Sequence, residues 1–145
     1  KLAKIQEALF NMWKEDSDLF DELDVQNIIQ NRVYLDRFLL RQHGNVKKTI
    51  DVVKEALIWR KEKKISHITP SEIPLEFYDV DSVVIHGTDR DGNVVFFYQV
   101  KYTIIIEETR EASLRLSIAK VFLTIEEGLA NDKGFVVFFM LPTCQ

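Results

Sequence analysis

Val83-Val84-Ile85-His86-Gly87-Thr88-Asp89-Arg90-Asp91-Gly92-Asn93-Val94-Val95-Phe96-Phe97-Tyr98 is the stretch on which the fold turns. Val83 to His86 and Val94 to Lys101 are rich in β-branched and aromatic residues and read as two strands. Between them Asp89-Arg90-Asp91-Gly92 supplies a turn, with Gly92 free to take a positive φ. Downstream, a helix is expected from about Glu107 to Ala130, with Leu114, Ile118, Val121 and Ile125 along one stripe and Glu107 and Glu108 favourably placed at its start. Asn131-Asp132-Lys133-Gly134 ends it. Phe135 to Leu141 then reads as a strand that is apolar on both faces, the pattern of a central parallel strand covered on each side. Strand, helix and strand in that order predict a right-handed βαβ crossover.

Upstream the pattern changes to helical spacing. Leu2 to Lys14 is expected as a first helix, with Leu2, Ile5, Leu9, Met12 and Trp13 on one face, broken by Asp16-Ser17-Asp18. A second helix is expected from Val25 to Gln42, with Asp24 as its N-cap and Gly44 as a left-handed C-terminal cap. Asn45 caps a third, through Lys63, with Val46, Ile50, Val53, Leu57 and Arg60 on consecutive turns. Lys61, Lys63 and Lys64 at its end favour the helix dipole, or offer a contact to headgroups. Ile68 to Asp81, with Pro70 and Pro74, is a connector holding one short helix begun by Thr69 or Ser71. The chain therefore divides into a helical lobe, 1–68, and an α/β (α+β) segment, 69–145. A strand apolar on both faces needs cover on both sides, and only Pro142-Thr143-Cys144-Gln145 follows it. The chain is accordingly expected to be the front portion of a longer domain, marginally stable or oligomeric through that strand when alone.

Composition narrows the function. The 145 residues carry a net charge of −4, which argues against nucleic-acid binding by bulk electrostatics. Cys144 is the sole cysteine, so no internal disulfide forms, and no stretch approaches the ~18 apolar residues of a membrane span. With no signal-peptide core at Lys1-Leu2-Ala3-Lys4 and no glycosylation sequon, a cytoplasmic location is expected. His43, His67 and His86 lie on three different segments without metal-ligand spacing, so no metal site and no cofactor are expected. Asp89-x-Asp91-Gly92 has its glycine too early for a calcium loop and lacks the closing glutamate. No glycine-rich phosphate loop and no nucleophile elbow is present. Adjacent Glu126 and Glu127 would point about 100° apart on a helix and could not share a proton. No catalytic apparatus is visible. Phe96, Phe97, Tyr98, Phe135, Phe138 and Phe139 suit either core packing or the wall of an apolar cavity, and pattern alone leaves both open.

The order of motifs carries a resemblance. Tyr34-Leu35-Asp36-Arg37-Phe38-Leu39, Asn45-Val46 opening a helix, and Trp59-Arg60-Lys61 resemble the N-terminal helices of CRAL-TRIO proteins. His86 to Val95 looks like that family's opening hairpin, and Phe135-Val136-Val137-Phe138-Phe139 matches its central strand in place and character. The resemblance spans about Asn31 to Leu141. It implies a helical N-terminal lobe beside the first part of a mixed β-sheet cage that shields one hydrophobic molecule. The family's ligands include tocopherol, retinoids, phosphatidylinositol and other phospholipids. It also implies pocket-wall roles for Leu114, Ser117, Ile118 and Val121 on the helix and for Phe135, Val137 and Phe139 on the strand. Many relatives place basic residues directly after Arg-Phe-Leu, where this chain has Leu40 and then Arg41. The function implied is non-enzymatic binding and transfer of a hydrophobic small molecule or phospholipid, with peripheral contact at intracellular membranes. The rivals are a protein-interaction or membrane-tethering module that has lost lipid exchange, and an enzyme whose polar groups lie elsewhere.

Overall fold

The computed structural model describes residues 1–79, 82–100, 110–122, 124, 125, 128 and 133–141, the side chains of Pro70 and Phe122 excepted. It is a mixed helical and sheet protein of the α+β type. The chain splits into two compact units, Lys1–His67 and Ile68–Gln145.

The first unit is helical. Helix α1 (Leu2–Glu15) ends at Asp16, whose carboxylate accepts from the Asp18 amide at 3.0 Å. Helix α2 (Glu22–Asp24) runs into a π-helical turn, Val25–Ile29, and α3 (Arg32–Arg41) and α4 (Val46–Glu62) follow. The single helix expected over 25–42 is thus two pieces. Asn31 breaks it by turning its side chain onto the Val33 and Tyr34 amides, at 3.0 and 3.2 Å, and capping α3. The N-cap upstream is Asp21, which accepts from the Leu23 amide at 3.0 Å, and not Asp24. Asp24 is buried instead. The left-handed turn after α3 begins one residue earlier than expected, at His43 (φ 52), before Gly44 (φ 76). The His43 amide reaches the Leu40 carbonyl and the Gly44 amide that of Leu39, the double closure of a Schellman turn. Asn45 caps α4 through the Lys48 amide at 3.0 Å. Ile5, Leu9, Phe20, Val25, Ile28, Ile29, Leu35, Leu39, Val53 and Leu57 form the core of this unit.

The second unit begins with a 3₁₀ turn, Pro70–Glu72, and helix α5 (Leu75–Asp79). Thr69 begins the turn, but the helix proper starts after Pro74, so the connector holds two short pieces where one was expected. Strands β1 (Val83–Thr88) and β2 (Val94–Gln99) pair antiparallel, and β3 (Phe135–Met140) pairs parallel to β2. Val100 lies outside β2, and Lys101 and Glu107, Glu108, Glu126 and Glu127 fall outside the described residues. The turn forms as the spacing predicts: Asp89 gathers the Asp91 and Asn93 amides at 2.9 and 2.8 Å, and Gly92 takes φ 83. The register slips between Ile85 and Thr88, and Gly87 (φ 90) supplies the positive φ of the resulting bulge. The sheet order is β1-β2-β3, so β2 is central and β3, read as a central strand, lies at an edge among the described residues. Helix α6 (Arg110–Ser117) continues as a π-helical turn, Ile118–Phe122.

Candidate functional site

The candidate wall is built on one face of the sheet and the helix crossing it. Register assigns the faces. Val94, Phe96 and Tyr98 stand opposite Phe135, Val137 and Phe139, while Val95 and Phe97 stand opposite Val136 and Phe138. Opposed residues share a face. Phe96 therefore lies with Phe135, Val137 and Phe139, and with Val83 across the hairpin. Both Phe96 and Val83 are 1% exposed. The helix covers this side: the Lys120 Nζ donates to the Val83 carbonyl at 3.4 Å, and a Cβ at Gly128 would meet Val94 Cγ2 at 3.6 Å. Pairing thus assigns Phe96 and Tyr98 to one face of the sheet and Val95 and Phe97 to the other.

Along the strand the cover is uneven. Val137 is half-buried, Phe135 is exposed and Phe139 is 66% exposed, its ring centroid 5.8 Å from that of Tyr98. On the helix Ile118 is buried, and Ser117 and Val121 are half-buried. Leu114 points outward at 38% exposure, and Leu116, absent from the expected stripe, is buried at 3%. Downstream of both, the π-turn adds a residue to the helical turn, so a stripe drawn at 3.6-residue spacing does not continue unchanged past Ile118. Side chains flank the irregularity: Ser117 Oγ donates to the Ser113 carbonyl at 2.9 Å and Thr124 Oγ1 to that of Lys120 at 2.7 Å, bonds that bend helices. The structure thus brings Ile118 and the half-buried Ser117, Val121 and Val137 to the covered side and leaves Leu114, Phe135 and Phe139 toward solvent.

The other face is aromatic as well. Phe97 and Phe138 stack with centroids 5.3 Å apart, and the His86 ring meets Phe97 edge-on at 5.3 Å. Phe138 and Met140 are half-exposed there.

Two polar clusters complete the picture. In the helical unit Asp24 Oδ1 accepts from Arg60 Nε and from Ser66 Oγ, each at 2.7 Å, and Arg60 Nη2 donates to Ser66 Oγ at 3.1 Å. Asp24 Oδ2 has no hydrogen-bond partner among the described residues. Beside this network Lys61 reaches the Asp18 carboxylate at 2.6 Å, and its hydrogen bond holds the Asp18 carboxyl below the ordinary carboxylate range. Lys61 is thereby engaged within the fold. In the second unit Glu72 joins the connector to α6 through Arg115 Nη2, at 2.6 Å. A shallow open cavity of about 230 Å³ lies on the helical unit, lined by Gln6, Glu7, Phe10, Ile29 and Gln30. Its volume falls below the ~300–1,000 Å³ of ordinary small-molecule sites. No helix among the described residues is long and apolar enough to cross a membrane, and no group of three His, Cys, Asp or Glu side chains among them is placed to hold a metal ion.

No protein-family model matches the chain, and no solved structure does. The chain is similar to Patellin-1 of Arabidopsis thaliana, 32% identical over 65 residues, which make up 45% of this chain and 11% of that relative. The chain thus spans a small part of the curated relative it matches. Patellin-1 is a CRAL-TRIO protein, so the match supports a partial likeness to that family.

Proposed function

We propose that the chain is part of a CRAL-TRIO lipid-binding protein that takes up one hydrophobic molecule or phospholipid and moves it between membranes without chemistry. One observation carries the reading. The helix and β3 lay apolar side chains on one face of the sheet, with Phe96 and Ile118 buried at its base and Phe135 and Phe139 left unburied at its rim. Such a surface gains roughly 25 cal/mol for each Å² of apolar area that a ligand removes from water. The likeness to Patellin-1 supports the family assignment. Gln99-Val100-Lys101-Tyr102 and Ile73-Pro74 most resemble the CRAL-TRIO part of motile sperm domain-containing protein 2. In this reading the protein is non-enzymatic, works in the cytoplasm and touches intracellular membranes peripherally. The 145-residue chain alone is marginally stable or self-associates through β3.

The test is native mass spectrometry of the longest natural form of the protein, with extraction of bound lipid, beside a vesicle-to-vesicle transfer assay. One lipid per chain is expected. Phe139→Asp removes an exposed apolar side chain worth about 1.5–3 kcal/mol when covered, so transfer falls about tenfold or more while folding is retained. A protein that carries no lipid and moves none defeats the reading. It would favour a protein-interaction or membrane-tethering module, for which the stacked Phe97 and Phe138 on the opposite face offer a docking surface.

A further inference from the structure

Thr69 is exposed, is followed by Pro70, and stands at the start of the second unit. Its hydroxyl donates to Glu72 Oε1 at 3.1 Å and lies 3.1 Å from Ser71 Oγ. The other oxygen of Glu72, Oε2, holds Arg115 Nη2 at 2.6 Å, and Arg115 Nη1 is 3.9 Å from Glu111 one turn earlier on α6. A threonine hydroxyl thus sits one carboxylate away from a guanidinium, and that carboxylate ties the connector to α6.

We propose that Thr69 is a phosphorylation site for a proline-directed protein kinase, and that its phosphate displaces Glu72 and takes Arg115. In the transfer Thr69 Oγ1 attacks the γ-phosphorus of ATP. The new P–O bond replaces the bond to the β-phosphate oxygen, ADP leaves, and the hydroxyl proton passes to the kinase's base. The product carries about −1.5 to −2 charges at neutral pH beside a carboxylate that formerly accepted the hydroxyl's hydrogen bond. Repulsion drives Glu72 away. Arg115, whose planar donors fit a phosphate in two-point fashion, re-pairs with the stronger anion. Because Arg115 lies on α6 between Leu114 and Leu116, the exchange changes how the connector restrains the helix that forms the candidate wall. Only this last consequence rests on the lipid-binding reading; the modification and the change of partner do not.

The experiment is phosphorylation of the folded full chain with ATP and a proline-directed kinase, followed by peptide mapping and ³¹P titration. Phosphate is expected at Thr69, absent in Thr69→Ala and introduced at least tenfold more slowly in Pro70→Ala. The second ionisation of the phosphate is expected below the ~6 of a solvated phosphothreonine, and it should return toward that value in Arg115→Gln. Arg115 is partly exposed, so circular dichroism should show that this variant keeps its fold. Phosphorylation of a Thr69 peptide but not of the folded chain overturns the proposal. So does a titration identical in wild type and Arg115→Gln. Failure of the lipid-binding reading would appear separately, as a protein without bound lipid whose Thr69 still takes phosphate.

Discussion

Arg60 illustrates how much a single position tells. It falls on a stripe with Val53 and Leu57, where a charge is tolerated only with a partner, so its burial follows from spacing and its need for an acid from electrostatics. Which acid was not legible: Asp16, Asp18, Asp21 and Asp24 all precede it in one short region, and the contact made spans 36 residues. Asp24 suits an N-cap by type, but Asp21 has that role and Asp24 closes the buried pair. Removing one partner of a buried pair strands the other. Asp24→Ala is therefore expected to lower unfolding stability by about 3–5 kcal/mol in denaturant titrations. Ser66→Ala, which leaves the pair intact and removes the serine's hydrogen bonds to both charged partners, should cost at least about 1.5–3 kcal/mol.

Among the elements, those bounded by local signals were readable. Helix α4 begins at Asn45 and the hairpin turns at Asp89–Gly92 because each signal acts within four residues of its own position. Helix α3 was missed as a separate piece because Asn31 sits inside a run of helical spacing and caps only if the preceding π-turn has already redirected the chain. Asn31→Ala is expected to destabilise the helical unit by about 1 kcal/mol, read as a lower denaturation midpoint with an unchanged slope. The candidate site shows the same division. Apolar character of β3 is plain in sequence, whereas its face depends on pairing with β2 and the covered side of α6 on tertiary packing. Periodicity encodes neither of these. Leu116, and not the expected Leu114, is the buried leucine of α6.

For the molecule as a whole, the cited ionisations set an acid limb. Lys61 lowers the folded pKa of Asp18, and the Asn93 side chain and amide lower that of Asp89. A carboxyl depressed on folding contributes stability above its unfolded pKa of about 3.9, and loses it as pH falls through the lower folded value. Urea midpoints are thus expected to hold near neutrality and decline below about pH 4. Lys61→Met and Asn93→Ala should each make that decline shallower; Asp18 is exposed and Asp89 partly so, so each effect is small and fades with salt. The sheet has a further consequence, in time. β1 and β2 close across a short turn, whereas the Gly134 amide reaches Asn93 Oδ1 at 2.8 Å from 41 residues away, where β3 joins β2. At about 5–20 residues per second a ribosome delivers that partner roughly 2–8 s after the hairpin, which itself forms within microseconds. For those seconds β2 presents Phe96 and an unpaired edge together, so this hairpin is the segment of the growing chain that most needs shielding from its neighbours.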